Sequence, residues 1–196
     1  MLRIEGLRES LKPTKKVSER FDALETEVGR LNRLIDGLLA LGRAGSEKAP
    51  VVTIDATAVV RERVESWTSL AEESGTTLTA SIDEGVRIRA VETALEHILD
   101  VYLDNALSVS PEGSTLEVFL TREGSQVTLT VRDQGPGVSD EVSSRAFDRF
   151  WRGGSSYEGS GLGLAIVKQL ADASGATVSL ANRESAGAEA RAVFGV

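Results

Sequence analysis

Apolar positions along this chain follow two different rhythms. Over residues 1 to about 48 they recur three and four apart: Phe21, Leu24, Val28, Leu31, Ile35 and Leu38, running on to Leu41 or Gly42. Ile4, Leu7 and Leu11 keep the same spacing upstream. This is an a/d heptad seam, a narrow stripe that calls for a partner helix. Lys12-Pro13-Thr14 interrupts it, because proline disfavours helix at the residue before it. The pattern predicts a short first helix, a turn near residues 12–18 and a long second helix to about Arg43. A dimerising hairpin is one reading, and a hairpin packed on its own domain is the other. Ala44 to Pro50 has linker composition.

From residue 51 onward strand-like alternation and helical spacing take turns. Val51 to Ile54 reads as a strand. Asp55 then caps a helix whose apolar face is Val59, Val60, Val64, Trp67 and Leu70, ended by Gly75. Thr76 to Ile82 alternates as a strand, and Val86 to Arg89 is a short one. From Val91 to about Val109 a helix with a broad buried face is predicted, carrying Leu95, Ile98, Leu99, Tyr102, Leu103 and Ala106. Leu116 to Thr121 and Val127 to Val131 form a hairpin. Residues 139–160 read as a short helix with Phe147, Phe150 and Trp151, then a Gly/Ser-rich loop. A helix from Leu162 to about Ala173 and strands at Ala176 to Leu180 and Arg191 to Val196 close the chain. The expected fold is an α/β (α+β) two-layer sandwich, a mixed sheet packed on three helices, preceded by an α-helical hairpin. Residues 1–48 and 51–196 are the expected domains.

Composition narrows the class. Of 196 residues 41% are hydrophobic, enough for a core. A net charge of −8 argues against a nucleic-acid surface. With no cysteine and one histidine, disulfides, thiolate metal sites and His-rich metal sites are excluded. No apolar run approaches the roughly 18 residues of a membrane span, and no signal peptide opens the chain, so a soluble, cytoplasmic chain is expected.

The candidate chemistry centres on Gly159-Ser160-Gly161-Leu162-Gly163-Leu164. A glycine-rich turn entering a helix leaves unpaired N–H groups and a positive dipole end, a ready anion site. No Gly-Lys-Ser/Thr follows, so it is not a P-loop, and no βαβ unit follows to make a dinucleotide fingerprint. Asn105 lies inside a predicted helix, where it either faces solvent or, beside a phosphate site, ligates Mg²⁺ through its side-chain oxygen. Asp133 precedes Gly135-Pro136-Gly137. It either caps a turn or accepts a hydrogen bond from an exocyclic amine such as that of adenine.

Asp104-Asn105-Ala106, Asp133-x-Gly135-x-Gly137, Phe147-Asp148-Arg149-Phe150 and Gly159-x-Gly161-Leu162-Gly163-Leu164 stand in the order of the N, G1, F and G2 boxes. In this the chain resembles the ATP-binding domain of sensor histidine kinases, within the gyrase, Hsp90 and MutL superfamily. The resemblance covers about residues 51 to 196, and the heptad hairpin resembles the tail of the family's dimerisation and phosphotransfer domain.

The resemblance implies that Asn105 holds Mg²⁺ and Asp133 binds the adenine amine, with Gly135 and Gly137 lining the base pocket. Residues from about Ser139 to Ser160 would form an ATP lid, rooted by Phe147 and Phe150, which also suit core packing. Arg149 and Arg152 would reach the phosphates or the partner helices, or else carry solvated charge. Gly159, Gly161, Leu162, Gly163 and Leu164 would hold the phosphate tail. ATP and Mg²⁺ are the implied cofactors, and a second copy of the chain and a response regulator the implied partners.

Departures from the family pattern shape the expectation. Val101 stands where the family often has Asn, with Asp100 beside it. Ser108 and Val109 replace a basic residue and an aromatic ring, and Ser174-Gly175-Ala176 reads as a degenerate second glycine box. A lost charged contact costs about 1.5–3 kcal/mol, so weak ATP binding is expected. The phosphoacceptor box is absent, and His97 suits a structural or surface role. The expectation is an engineered piece of a longer, membrane-anchored sensor kinase that binds ATP but does not phosphorylate itself. The competing readings are a nucleotide-free dimerisation module and a related-fold ATPase. The latter lacks a Glu at position 101 to activate water.

Overall fold

The computed structural model describes residues 50–148, 151 and 162–196. The helical hairpin expected over residues 1–48 lies outside the described residues. Strand β1 (Val51–Asp55) pairs antiparallel with β3 (Arg87–Val91) as a separate ribbon. The main sheet has five strands in the order β2-β4-β5-β7-β6. These are β2 (Thr77–Ile82), β4 (Thr115–Glu123), β5 (Gln126–Arg132), β6 (Thr177–Asn182) and β7 (Ala188–Gly195). Only β2 and β4 run parallel, so the sheet is mixed.

Three helices cover one face: α1 (Ala56–Glu73), α2 (Ala94–Val109) and α4 (Gly163–Ala173). A short α3 (Asp140–Arg145) starts at Ser139, whose hydroxyl accepts from Val142 N at 3.2 Å. Alternation decides which face of the sheet they cover. Leu116, Val118 and Leu120 of β4 and Val127, Leu129 and Val131 of β5 are buried against Leu95, Ile98, Leu99 and Leu103 of α2. The two-layer α/β fold expected from the pattern is the one observed.

Asp55 caps α1 as expected, accepting from Ala58 N at 3.0 Å, and Gly75 follows it with φ +70°. Polar locks fix α2, the central helix. Asp100 accepts from Arg63 Nε at 2.9 Å, Arg63 Nη2 at 3.1 Å and Trp67 Nε1 at 2.8 Å, joining α2 to α1. On the sheet side, Tyr102 donates its hydroxyl to Arg191 O at 2.9 Å, and burial pushes its phenol well above the ordinary range, so it stays a neutral donor.

Several boundaries differ from the sequence reading. The helix expected from Val91 starts at Ala94, because Thr93 adopts φ +66° and breaks the run. Val91 belongs to β3 and pairs with Val51. Strand β7 begins at Ala188 rather than Arg191, since Glu189 and Ala190 already pair with Arg132 and Val131. Ser174-Gly175-Ala176, expected as a degenerate glycine box, forms the end of α4. Ser174 ends α4, Gly175 follows with φ +68°, and Ser174 Oγ accepts from Val91 N at 3.0 Å.

Candidate functional site

One face of α2 runs between two glycine-bearing segments that are far apart in sequence. At its middle, Val101 packs on the first residue of α4. A Cβ built on Gly163 would lie 3.2 Å from Val101 Cγ1. At its end, Val109 packs on the loop after β5, where a Cβ on Gly135 would meet Val109 O at 2.8 Å. Asn105 is one turn from each, on the same helical side. It is exposed, and its side chain makes no hydrogen bond to the described residues. The side-chain oxygen is therefore uncommitted among the described residues.

Asp133 is built in more firmly. It follows the last residue of β5 and is 6% exposed. Its Oδ1 accepts from Gly135 N at 2.8 Å and Ala188 N at 3.1 Å. Its own N–H donates to Ala188 O at 3.1 Å. Its carbonyl accepts from Arg183 Nη1 at 2.9 Å. The second carboxylate oxygen, Oδ2, takes no hydrogen bond from the described residues. Gly135 is buried and needs to be glycine because Val109 and Asp133 leave no room for a Cβ. Gly137 has φ +78°, and a Cβ there would come within 2.5 Å of Asn182 Oδ1.

At the other end, α4 begins without a side-chain cap on its first turn. Its first carbonyl partner is Leu162 O, which accepts from Ile166 N at 2.9 Å. The amides of Gly163 and Leu164 thus form the positive end of the helix. Phe147 is half-buried against the core. Trp151 stands near Arg145, whose guanidinium is 5.5 Å from the ring centroid. Arg149, Phe150, Arg152, Gly159 and Gly161 lie outside the described residues.

Asp100 is turned away from this face, engaged by Arg63 and Trp67. Ser108 Oγ donates back to Asn105 O at 2.7 Å. His97 is half-buried on the first turn of α2, its amide bonded to Thr93 O at 3.2 Å. Among the described residues no group of three His, Cys, Asp or Glu is arranged to hold a metal. A Mg²⁺ ion that keeps water and substrate phosphate oxygens needs only one or two protein oxygens, and exposed Asn105 fits that need.

The sequence reading missed the turn between β6 and β7. Asn182 clamps Val138, its Oδ1 accepting from Val138 N and its Nδ2 donating to Val138 O, both at 2.7 Å. Arg183 holds the Asp133 carbonyl. Gly187, with φ +92°, lies so close to the Asp133 main chain that a Cβ would overlap it. A glycine in the polar run Arg183-Glu184-Ser185-Ala186-Gly187 was a turn signal, but nothing in the pattern linked it to Asp133.

The class of protein follows from these features together. A model of the histidine kinase-, DNA gyrase B- and HSP90-like ATPase family matches residues 90–195. The chain belongs to that family. Its relatives are sensor kinases. It is 30% identical over 173 residues to the sensor-like histidine kinase SenX3 of Mycobacterium tuberculosis, covering 85% of this chain and 42% of the relative. It is 34% identical over 171 residues to the sensor protein QseC of Salmonella typhi, covering 85% and 37%. The chain thus spans about two fifths of the length of these relatives. Among solved structures, full-length ShkA in complex with AMPPNP superposes with TM-score 0.71 at 26% identity, covering 96% of this chain and 40% of that one. The mycobacterial sensor histidine kinase MprB gives TM-score 0.64 at 26% identity, covering 74% and 97%. No helix among the described residues is long and apolar enough to cross a membrane.

Proposed function

We propose that this chain is the ATP-binding catalytic part of a two-component sensor histidine kinase. It would transfer the γ-phosphate of ATP to a histidine on a dimerisation helix, for relay to an aspartate of a response regulator. The observation that carries this reading is Asp133. It is buried, it is held by four hydrogen bonds, and one oxygen is left to accept from the exocyclic amine of adenine. A related protein, ShkA, is described in complex with an ATP analogue.

The remaining roles follow from position. Gly135 and Gly137 shape the base side. Asn105 would hold Mg²⁺, which when bound offsets phosphate charge. The amides of Gly163 and Leu164, with Gly159, Gly161 and Leu162, would take the phosphate tail at the positive end of α4. Arg149 and Arg152 would add charge there, and Phe147 would root a lid over 139–160. Residues 1–48 would dimerise, and the parent protein would sit at the inner face of a cell membrane. In the transfer, an imidazole nitrogen bonds to the γ-phosphorus. The bond to the β-phosphate oxygen breaks, ADP leaves, and the other ring nitrogen gives up its proton to water. Direct hydrolysis is disfavoured, because Val101 offers no base and Asp100 is engaged by α1.

The test supplies γ-labelled Mg²⁺-ATP together with a separate polypeptide carrying the acceptor hairpin. Acid-labile label on that polypeptide's histidine is expected. ATP binding without label transfer would contradict the kinase step. A folded chain that binds no ATP would favour a nucleotide-free dimerisation module, consistent with Ser108 and Val109 at two family positions.

A further inference from the structure

Asp133 lies one residue beyond the end of β5, where one backbone hydrogen bond, to Ala188 O of β7, still ties its main chain to the sheet. Apart from the Gly135 amide, the hydrogen bonds on it come from the first residue of β7 and from the turn that precedes that strand. Ala188 supplies two, through its N–H and its carbonyl. Arg183 supplies the third, donating Nη1 to the Asp133 carbonyl at 2.9 Å. The other arm of the same guanidinium, Nη2, reaches Glu117 Oε2 on β4 at 2.9 Å. The Arg183 amide donates to Gly187 O at 3.1 Å, so the turn is closed on itself. The side chain is 18% exposed and its partner 30%.

We propose that Arg183, braced by Glu117, is a positioning residue for recognition of the base: it fixes the main chain of Asp133 so that the free carboxylate oxygen meets an exocyclic amine. This rests on the assignment of Asp133 to the adenine side. A planar fork with two separate donors can span a carbonyl and a carboxylate at once. Lysine, with one ammonium on a flexible stem, cannot reproduce that. The bracing acts on direction rather than on charge at the ligand, since both guanidinium bonds point into the protein. Removing it should therefore affect discrimination between bases more than attraction for the phosphates.

The test compares ATP with ITP, which carries a carbonyl oxygen in place of the adenine amine, by calorimetry in Mg²⁺. The wild-type chain, Asp133→Asn, Arg183→Met and Arg183→Lys are each titrated, and Tm is recorded. Wild type should prefer ATP by about tenfold or more, as expected for one hydrogen bond to a charged acceptor. Asp133→Asn should lose that preference. Arg183→Met should lose most of it while retaining ITP affinity, and Arg183→Lys should recover only part. An unchanged ATP/ITP ratio in Arg183→Met, beside a ratio lost in Asp133→Asn, would overturn the role of Arg183 and leave Asp133 in place. A wild-type chain with no preference would overturn the adenine assignment itself. Where Arg183→Met fails to fold, Glu117→Gln releases the brace more gently and is read the same way.

Discussion

The two ends of the site are built by opposite means. At the end proposed for the base, Asp133 is buried and held by main-chain groups and Arg183, with Oδ2 left over. At the end proposed for the phosphates, Asn105 is exposed and α4 starts with no side-chain cap. One end is fixed in place by the protein's own hydrogen bonds. The other is more open, with the Asn105 side chain unbonded among the described residues. The contrast suits a nucleotide, whose base has fixed hydrogen-bonding edges while its phosphates are flexible, solvated and charged. It also separates the expected consequences of mutation. Changes at the base end should cost stability as well as affinity, whereas changes at the phosphate end should cost affinity alone.

The largest effect is expected at Gly187. A side chain there must overlap Asp133 and adopt φ +92°. Gly187→Ala should therefore destabilise the fold by about 3 kcal/mol or more, visible as a lower denaturant midpoint. An unchanged midpoint would mean that the main chain around Asp133 yields easily to a side chain at 187. Nearly as large is Asp100→Ala, which leaves Arg63 without its carboxylate and Trp67 Nε1 without its acceptor. A loss of about 3 kcal/mol is expected, and a small one would remove the α1–α2 lock from the account.

Asn105→Ala should barely move stability, within about 0.5 kcal/mol as for other exposed sites, yet remove most of the Mg²⁺ dependence of ATP binding. If binding kept its full Mg²⁺ dependence, the metal would have to be held elsewhere.

The smallest effect concerns pH. Glu189 pairs in register with Arg132, next to Asp133, and accepts from Arg132 Nε at 2.5 Å. Burial alone would push its carboxyl up, but the guanidiniums of Arg132 and Arg191 outweigh this and hold it below the ordinary value. Its contribution is thus present above the unfolded pKa of about 4.3 and is lost as pH falls through the lower folded value. Glu189→Gln should flatten that acid limb of the stability curve. An acid limb of unchanged steepness would show that Glu189 does not contribute to it.

Much of this was legible in the sequence because it depends on local rules. Alternation placed β4 and β5, helical spacing placed α1, α2 and α4, and Asp55 announced its cap. The family boxes suggested one site for Asn105, Asp133 and Gly163; in the structure Gly163 lies against Val101 of α2, and Gly135, two residues after Asp133, lies against Val109. What could not be read depends on contacts across the sheet. Val91 has the spacing of a helix but pairs in β3, because Thr93 takes a left-handed turn. Gly135 and Gly137 suggested room for a flat base. The atoms nearest their missing side chains belong to Val109, Asp133 and Asn182. Arg183 and Gly187 lie 50 and 54 residues after Asp133, and only the pairing of β5 with β7 brings them to it.

The most direct measurement is a calorimetric titration of Mg²⁺-ATP into the folded chain, beside Asp133→Asn. Single-site binding in the micromolar to millimolar range is expected, weakened by the substitution about ten- to hundredfold, as for a lost hydrogen bond to a charged group. Equal binding by both would contradict the placement of adenine at Asp133. No binding by a wild-type chain shown to be folded would contradict the nucleotide site as a whole.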